Sequence, residues 1–385
     1  MRGLLLYGDT ERSAALRHEI PIAIGDAFLF AEVDGQTYIV TSRLEIGRLA
    51  RALPDAKLFD YFELGYKDLV ESGLSRAEAS REVEVRAVHE IGIDDAIVAA
   101  EFPLALADRL RADGVTLTVD EDAIDLRRRS KNEVELDGIR VAQRAAEAGM
   151  AAVSDLLARS TPNGEGRLEL DGKLLLAEDV RAVLRQSCAE HGAPCPPDVI
   201  ISSVWQGNGH EPGSGPLPAG LPIHVDVWPR HEETACWADM ARTFVVGEPS
   251  PEHAERLAEM ESLSRRALSE AKESVRPGVT GRELFDATCD LFESAGYPTQ
   301  RTSKPDEDEG FQWALGHGLG LEVHEAPSVG LAGRDPFVVG DVVALEPGLE
   351  DKEIGPLVFE DLVVVTEDGC EVLTDFPYEL TPTAA

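Results

Sequence analysis

Residues 221–244 read LPIHVDVWPRHEETACWADMARTF. Two apolar, β-prone runs, LPIHVDVW and ARTFVVG, flank the polar stretch PRHEET. Such a pattern predicts two antiparallel strands joined by a long hairpin connection. Asp226 stands inside the first run, and Asp239 opens the second. An isolated carboxylate in an apolar strand loses its hydration on burial and is costly unless something compensates it.

Three further residues repeat this situation. His317 lies in ALGHGLG, Glu346 in ALEPG and Glu360 in VFEDLVVV. A lone acid in a strand usually faces solvent at an edge. Acids gathered in one place would instead repel one another. A pair of divalent cations relieves both the repulsion and the burial, and carboxylates with one imidazole suit Mn²⁺, Fe²⁺, Co²⁺ or Zn²⁺. The glycines beside His317 allow close backbone approach. Pro347-Gly348 punctuates the chain after Glu346 and places that acid at a strand end.

The ordered series Asp226, Asp239 with Arg242-Thr243, Gly316-His317-Gly318, His324-Glu325, Glu346-Pro347-Gly348 and Glu360-Asp361 resembles the pita-bread metallopeptidase superfamily. Over residues 130–375 the similarity is to its aminopeptidase P, prolidase and creatinase branch, with a methionine aminopeptidase-like catalytic domain. The resemblance implies a fold of α/β (α+β) class. A small N-terminal creatinase-like α/β domain would precede a catalytic domain whose curved antiparallel sheet is covered by helices. It makes Asp226, Asp239, His317, Glu346 and Glu360 the ligands of two metal ions, Mn²⁺ foremost, with Asp239 and Glu360 as bridges. His324 and His210 would face the substrate, and Glu346 would double as a base.

The implied activity is that of an Xaa-Pro aminopeptidase-like hydrolase. Water activated as hydroxide by the metal pair would attack the scissile carbonyl of a peptide or small amide. A creatinase-like C–N hydrolase and an inactive binding protein of the same shape are the competing readings. The resemblance also suggests a homodimer.

Two departures bear on substrate. Twelve residues separate Asp226 from Asp239, a residue pair more than is common in the superfamily. Proline-specific members often carry Arg two residues before the last metal Glu, where this chain has Val358. An Arg there can bind a carboxylate bidentately; Val cannot.

The whole chain fits this frame. Its 385 residues suffice for two domains, expected at 1–125 and 126–385. A formal net charge of −36 disfavours nucleic acid and anionic membranes as partners. Only seven of the 36 basic residues are Lys, which matches either a high-salt surface or a composition bias. No apolar run approaches a membrane span, no leader is read, and five scattered Cys without a CxxC pair point to a reducing, cytoplasmic setting.

In the first domain, a hairpin is expected at Asp34-Gly35 and a helix ending at Gly92. In the second, one long helix over 126–160 is followed by helices near 174–191, 251–273 and 281–295. His224 is read as packing beside the site, and His18, His89, His191, His231 and His253 as surface or packing residues. Arg242 and Thr243 are read as braces, the four Trp as core or wall, and the acidic run 306–309 as a solvated loop.

Overall fold

The computed structural model describes residues 1–206, 209–304 and 308–384. The acids Asp306 and Glu307 of the acidic run lie outside the described residues. The chain divides into two compact units, Met1–Arg128 and Arg129–Ala385.

The first unit holds a six-stranded mixed sheet. Its order is Lys57–Asp60, Gln36–Thr41, Phe28–Val33, Arg2–Gly8, Asp95–Val98, Thr116–Val119. The expected hairpin joins Phe28–Val33 to Gln36–Thr41. Asp34 and Gly35 both take positive φ (51° and 77°), as a tight two-residue turn requires. The Arg76–Ile91 helix opens on a capping box between Ser75 and Glu78 and stops at Gly92, whose φ is 86°. Leu5, Leu29, Val83 and Val88 belong to the core beneath it.

Every strand pairing in the second unit is antiparallel. One sheet has the order Ile200–Ser202, Pro222–Val227, Met240–Val245. A five-stranded sheet runs Glu325–Val329, Gly316–Gly318, Val342–Leu345, Asp361–Val365, Cys370–Val372. A two-stranded ribbon pairs Gly348–Asp351 with Gly355–Val358. The Glu133–Ala158 and Ala177–Glu190 helices share one core with the first sheet, through Met150, Leu184 and Val225. The Pro251–Ser274 and Gly281–Ser294 helices pack on the second through Leu268, Phe285 and Val363.

The single long helix expected over 126–160 is interrupted. One helix ends at Arg129 and the next begins at Glu133. Asn132 causes the break: its side chain accepts from the Glu135 N–H while Glu135 reaches back to the Asn132 N–H. That reciprocal cap starts a new helix, whereas the apolar stripe alone suggested continuity.

Candidate metal centre

The five expected ligands come from four segments, two of which meet at Ala241. Asp226 pairs with Ala241 across the hairpin, and Asp239 lies two residues before it. The backbone N–H of Glu360 donates to the Ala241 carbonyl at 3.1 Å, which ties the chain entering Asp361–Val365 to the first sheet. His317 sits opposite Ala344 in the second sheet, and the Glu346 N–H donates to Leu315 O at 2.8 Å. Flanking His317, a Cβ on Gly316 would lie 1.9 Å from Ala344 O, and one on Gly318 would lie 2.3 Å from Ala326 O. The strand carrying His317 can therefore enter the sheet only with glycine on either side.

The side chains converge. Asp239, His317 and Glu360 each offer a ligand atom within 4.8 Å of the others. His317 Nε2 lies 3.7 Å from Asp239 Oδ2 and 3.8 Å from Glu346 Oε1. Asp226 interacts directly with the Asp239 side chain. Burial pushes the Asp226 carboxyl up to about 7. Burial, with the charge of Asp226 beside it, pushes Glu346 up to about 8. Asp239 and Glu360 are driven well above the carboxylate range by burial and then by their acidic neighbours.

These acids cannot all ionise together without positive charge among them. Asp226 Oδ1 is buried and has no hydrogen-bond partner among the described residues. A set of four crowded carboxylates, one of them with an orphaned oxygen, fits divalent cations. The imidazole fits too. His317 Nδ1 lies 3.1 Å from Gly318 O, and a carbonyl only accepts, so Nδ1 carries the proton and the Nε2 lone pair faces the acids. Burial, and then His324, lowers His317 to about 4, so it is neutral and able to ligate.

Asp226, His317 and Glu346 line a cavity of about 930 Å³. His324 and His210 are on its wall. The His324 ring meets His317 edge-to-face, with centroids 4.3 Å apart. Burial, and then His210, lowers the His324 pKa. His210 itself is exposed on the approach. His224 also reaches the cavity, its Nε2 4.0 Å from Asp226 Oδ2, and burial lowers it to about 4. It stands beside the acids, as its position two residues before Asp226 led us to expect.

The twelve-residue connection leaves both strands in register, with Arg230 and Trp237 bridged inside it. Arg242 braces the neighbouring chain and not the ligand carboxylates. It donates to the Glu360 carbonyl at 2.7 Å and to Asp361 Oδ1 at 2.8 Å. Lys272 (2.7 Å) and the Tyr378 hydroxyl hold the other Asp361 oxygen. This buried knot escaped the sequence reading, because its members lie far apart in the chain. Lys131, paired with Glu325 next to His324, escaped it for the same reason.

One assignment changes: Trp205 is 48% exposed under the Arg167 guanidinium and is neither core nor wall. His231 lies in the hairpin connection, as expected, and bonds Thr234 Oγ1 at 2.9 Å. In the acidic run, Asp308 is exposed and lines the cavity, and Glu309 pairs with Lys352.

A family model described as "Metallopeptidase family M24" matches residues 137–367. A "Probable dipeptidase PepE" of Mycobacterium tuberculosis is 31% identical over 283 residues, 72% of this chain and 66% of that protein. The chain thus matches just under two thirds of that relative's length. An "Xaa-Pro dipeptidase" of Pyrococcus horikoshii is 34% identical over 143 residues, 37% of each. Among solved structures, an Xaa-Pro dipeptidase from Bacillus anthracis superposes with a TM-score of 0.76 at 21% identity, covering 98% of this chain and 94% of that one.

Proposed function

Since the chain belongs to metallopeptidase family M24, we infer that it is a metal-dependent peptidase of the Xaa-Pro type, releasing N-terminal residues from short peptides. One observation carries the reading: Asp226, Asp239, His317, Glu346 and Glu360 are all present and their segments converge on one cavity wall. An inactive relative would have no reason to keep repelling acids together. The names borne by the similar proteins support the same class of substrate.

In this reading Asp226, Asp239, His317, Glu346 and Glu360 would hold two divalent ions. The ions supply Lewis acidity, which acidifies water and polarises a carbonyl. The chain's own groups do the rest. Glu346, at the edge of the acid cluster, takes the proton that the attacking water gives up. His324, neutral and beside His317, donates toward the oxygen that gains charge. His210, on the approach, orients the substrate and can pass a proton to the leaving nitrogen. The Gly316–Gly318 strand keeps this arrangement rigid.

Manganese, a homodimer and the cytoplasm belong to the same proposal. The cysteines, all free, suit a reducing compartment. Val358 on the cavity wall favours peptides or small amides without a free carboxylate next to the scissile bond. The test is turnover of an Xaa-Pro peptide panel with Mn²⁺, Co²⁺ or Zn²⁺. Activity should depend on the added ion and disappear in Asp239→Ala. Turnover that persists in this variant would reject the reading.

A further inference from the structure

The first unit contains a second cavity, of about 730 Å³. Tyr7, Tyr61 and Tyr66 line it, with Arg81 and Glu84 from the Arg76–Ile91 helix. Tyr61 and Tyr66 stack with their ring centroids 6.2 Å apart. Glu84 is 0% exposed, and the Tyr7 hydroxyl beside it meets its carboxylate oxygens outside good hydrogen-bond geometry. Its neighbours Val83 and Val85 are buried apolar residues, so packing alone would accept a hydrocarbon here. Burial lifts the Glu84 carboxyl to about 8, and the Tyr7 hydroxyl and Arg81 pull it down only in part.

Arg81 lies three residues before Glu84, on the same side of the helix. It makes no hydrogen bond or ion pair among the described residues, although it lines the same cavity. A buried acid and a guanidinium thus share one pocket with no direct bond between them among the described residues. A simple cation would suit Glu84 and be repelled by Arg81. A simple anion would suit Arg81 and leave the buried Glu84 carboxyl unanswered. A molecule with adjacent ammonium and carboxylate groups satisfies both, and aromatic faces add attraction for its ammonium.

We propose that this cavity binds a small amino-acid-like zwitterion, its ammonium on Glu84 among the tyrosine rings and its carboxylate on Arg81. The cavity is built from first-unit residues alone, and the proposal does not rest on the peptidase reading. Isothermal titration of the full chain with L-leucine, L-phenylalanine and L-proline tests it. Each is run beside its N-acetyl and carboxamide derivatives, which lack one of the two charges. At least one free amino acid should saturate the protein, and both of its derivatives should bind at least about tenfold more weakly.

Glu84→Gln and Arg81→Gln should each weaken that binding at least about tenfold with peptide turnover unchanged. Asp239→Ala should leave it intact. Arg81 is only partly buried, so Arg81→Gln decides the matter should Glu84→Gln fail to fold by circular dichroism. The proposal is overturned by affinity unchanged in the variants, by binding lost with Asp239→Ala, or by no saturable heat from any of the three amino acids.

Discussion

Thr243 holds Val358 by both of its main-chain polar groups. The Val358 N–H donates to Thr243 Oγ1 at 3.0 Å, and the same hydroxyl donates to Val358 O at 3.1 Å. A side chain here does the work of a ladder partner between the Met240–Val245 strand and the Gly355–Val358 ribbon. Two residues farther on stands Glu360, so the clamp also sets where that acid enters the metal cluster.

Thr243→Val keeps the shape of the side chain but leaves two buried main-chain groups unpaired. The expected loss is roughly 2–4 kcal/mol, read as a lower urea midpoint with an unchanged slope. Thr243→Ser retains the hydroxyl and should recover most of it. Equal losses in the two variants would show that the methyl group, not the hydroxyl, matters.

If the crowded acids hold divalent ions, stability should depend on those ions. Chelator-treated protein has to keep Asp226, Asp239, Glu346 and Glu360 together with no cation among them. Adding Mn²⁺ at a hundred times its dissociation constant should stabilise the fold by about 2.7 kcal/mol, visible as a rise in Tm. Asp239→Asn should bind less metal by elemental analysis, and it should lower kcat by about a hundredfold or more. A Tm that ignores the ion in the native chain would argue against a folded-state metal site.

Glu84 gives a pH signature in the first unit. Its folded-state pKa, about 8, lies above the ordinary value of 4.5. Between those two values the folded chain binds more protons than the unfolded chain, so stability falls as pH rises. The contribution is fully present at pH 4 and lost once pH passes about 8. Glu84→Gln cannot ionise and should flatten this part of the profile. Its advantage over the native chain should grow through the window and level off above it, reaching a few kcal/mol at most. Parallel urea melts from pH 5 to pH 9 check it; two curves of the same slope would exclude the assigned shift.

Much of the candidate centre was legible because its acids and its imidazole sit in short, unusual words. An acid between apolar β-branched residues, or a His between glycines, violates the local pattern, and Asp226, His317 and Glu360 announce themselves that way. Arg242 was legible as a brace, but its partners were not. Asp361 follows Glu360 and reads as a strand-edge acid, and Lys272 and Tyr378 lie in unrelated segments. Only the folded chain brings them together. The helix break at Asn132 was missed for the opposite reason: a local cap overrode a longer apolar stripe that remained periodic across it. Glu84 was hidden because an acid in an amphipathic helix usually faces water.

Val358 sets the final expectation. It lines the catalytic cavity opposite Gly348, and no Arg or Lys lines that cavity among the described residues. Asp308, Asp335 and Glu350 do, so the wall is acidic beyond the metal ligands. Burial, and then Asp308, raises Glu350 to about 8, as expected for an acid that no cation answers. A substrate carboxylate near Val358 meets no cationic side chain among the described residues. The native chain should therefore cleave Xaa-Pro amides and longer peptides in preference to free Xaa-Pro dipeptides. Val358→Arg supplies a bidentate partner for the carboxylate, and it should move the ratio of kcat/KM for free dipeptide over amide upward by about tenfold, mainly through KM. A native preference for the free dipeptide, or a ratio unmoved in the folded variant, would mean that another group recognises the carboxylate.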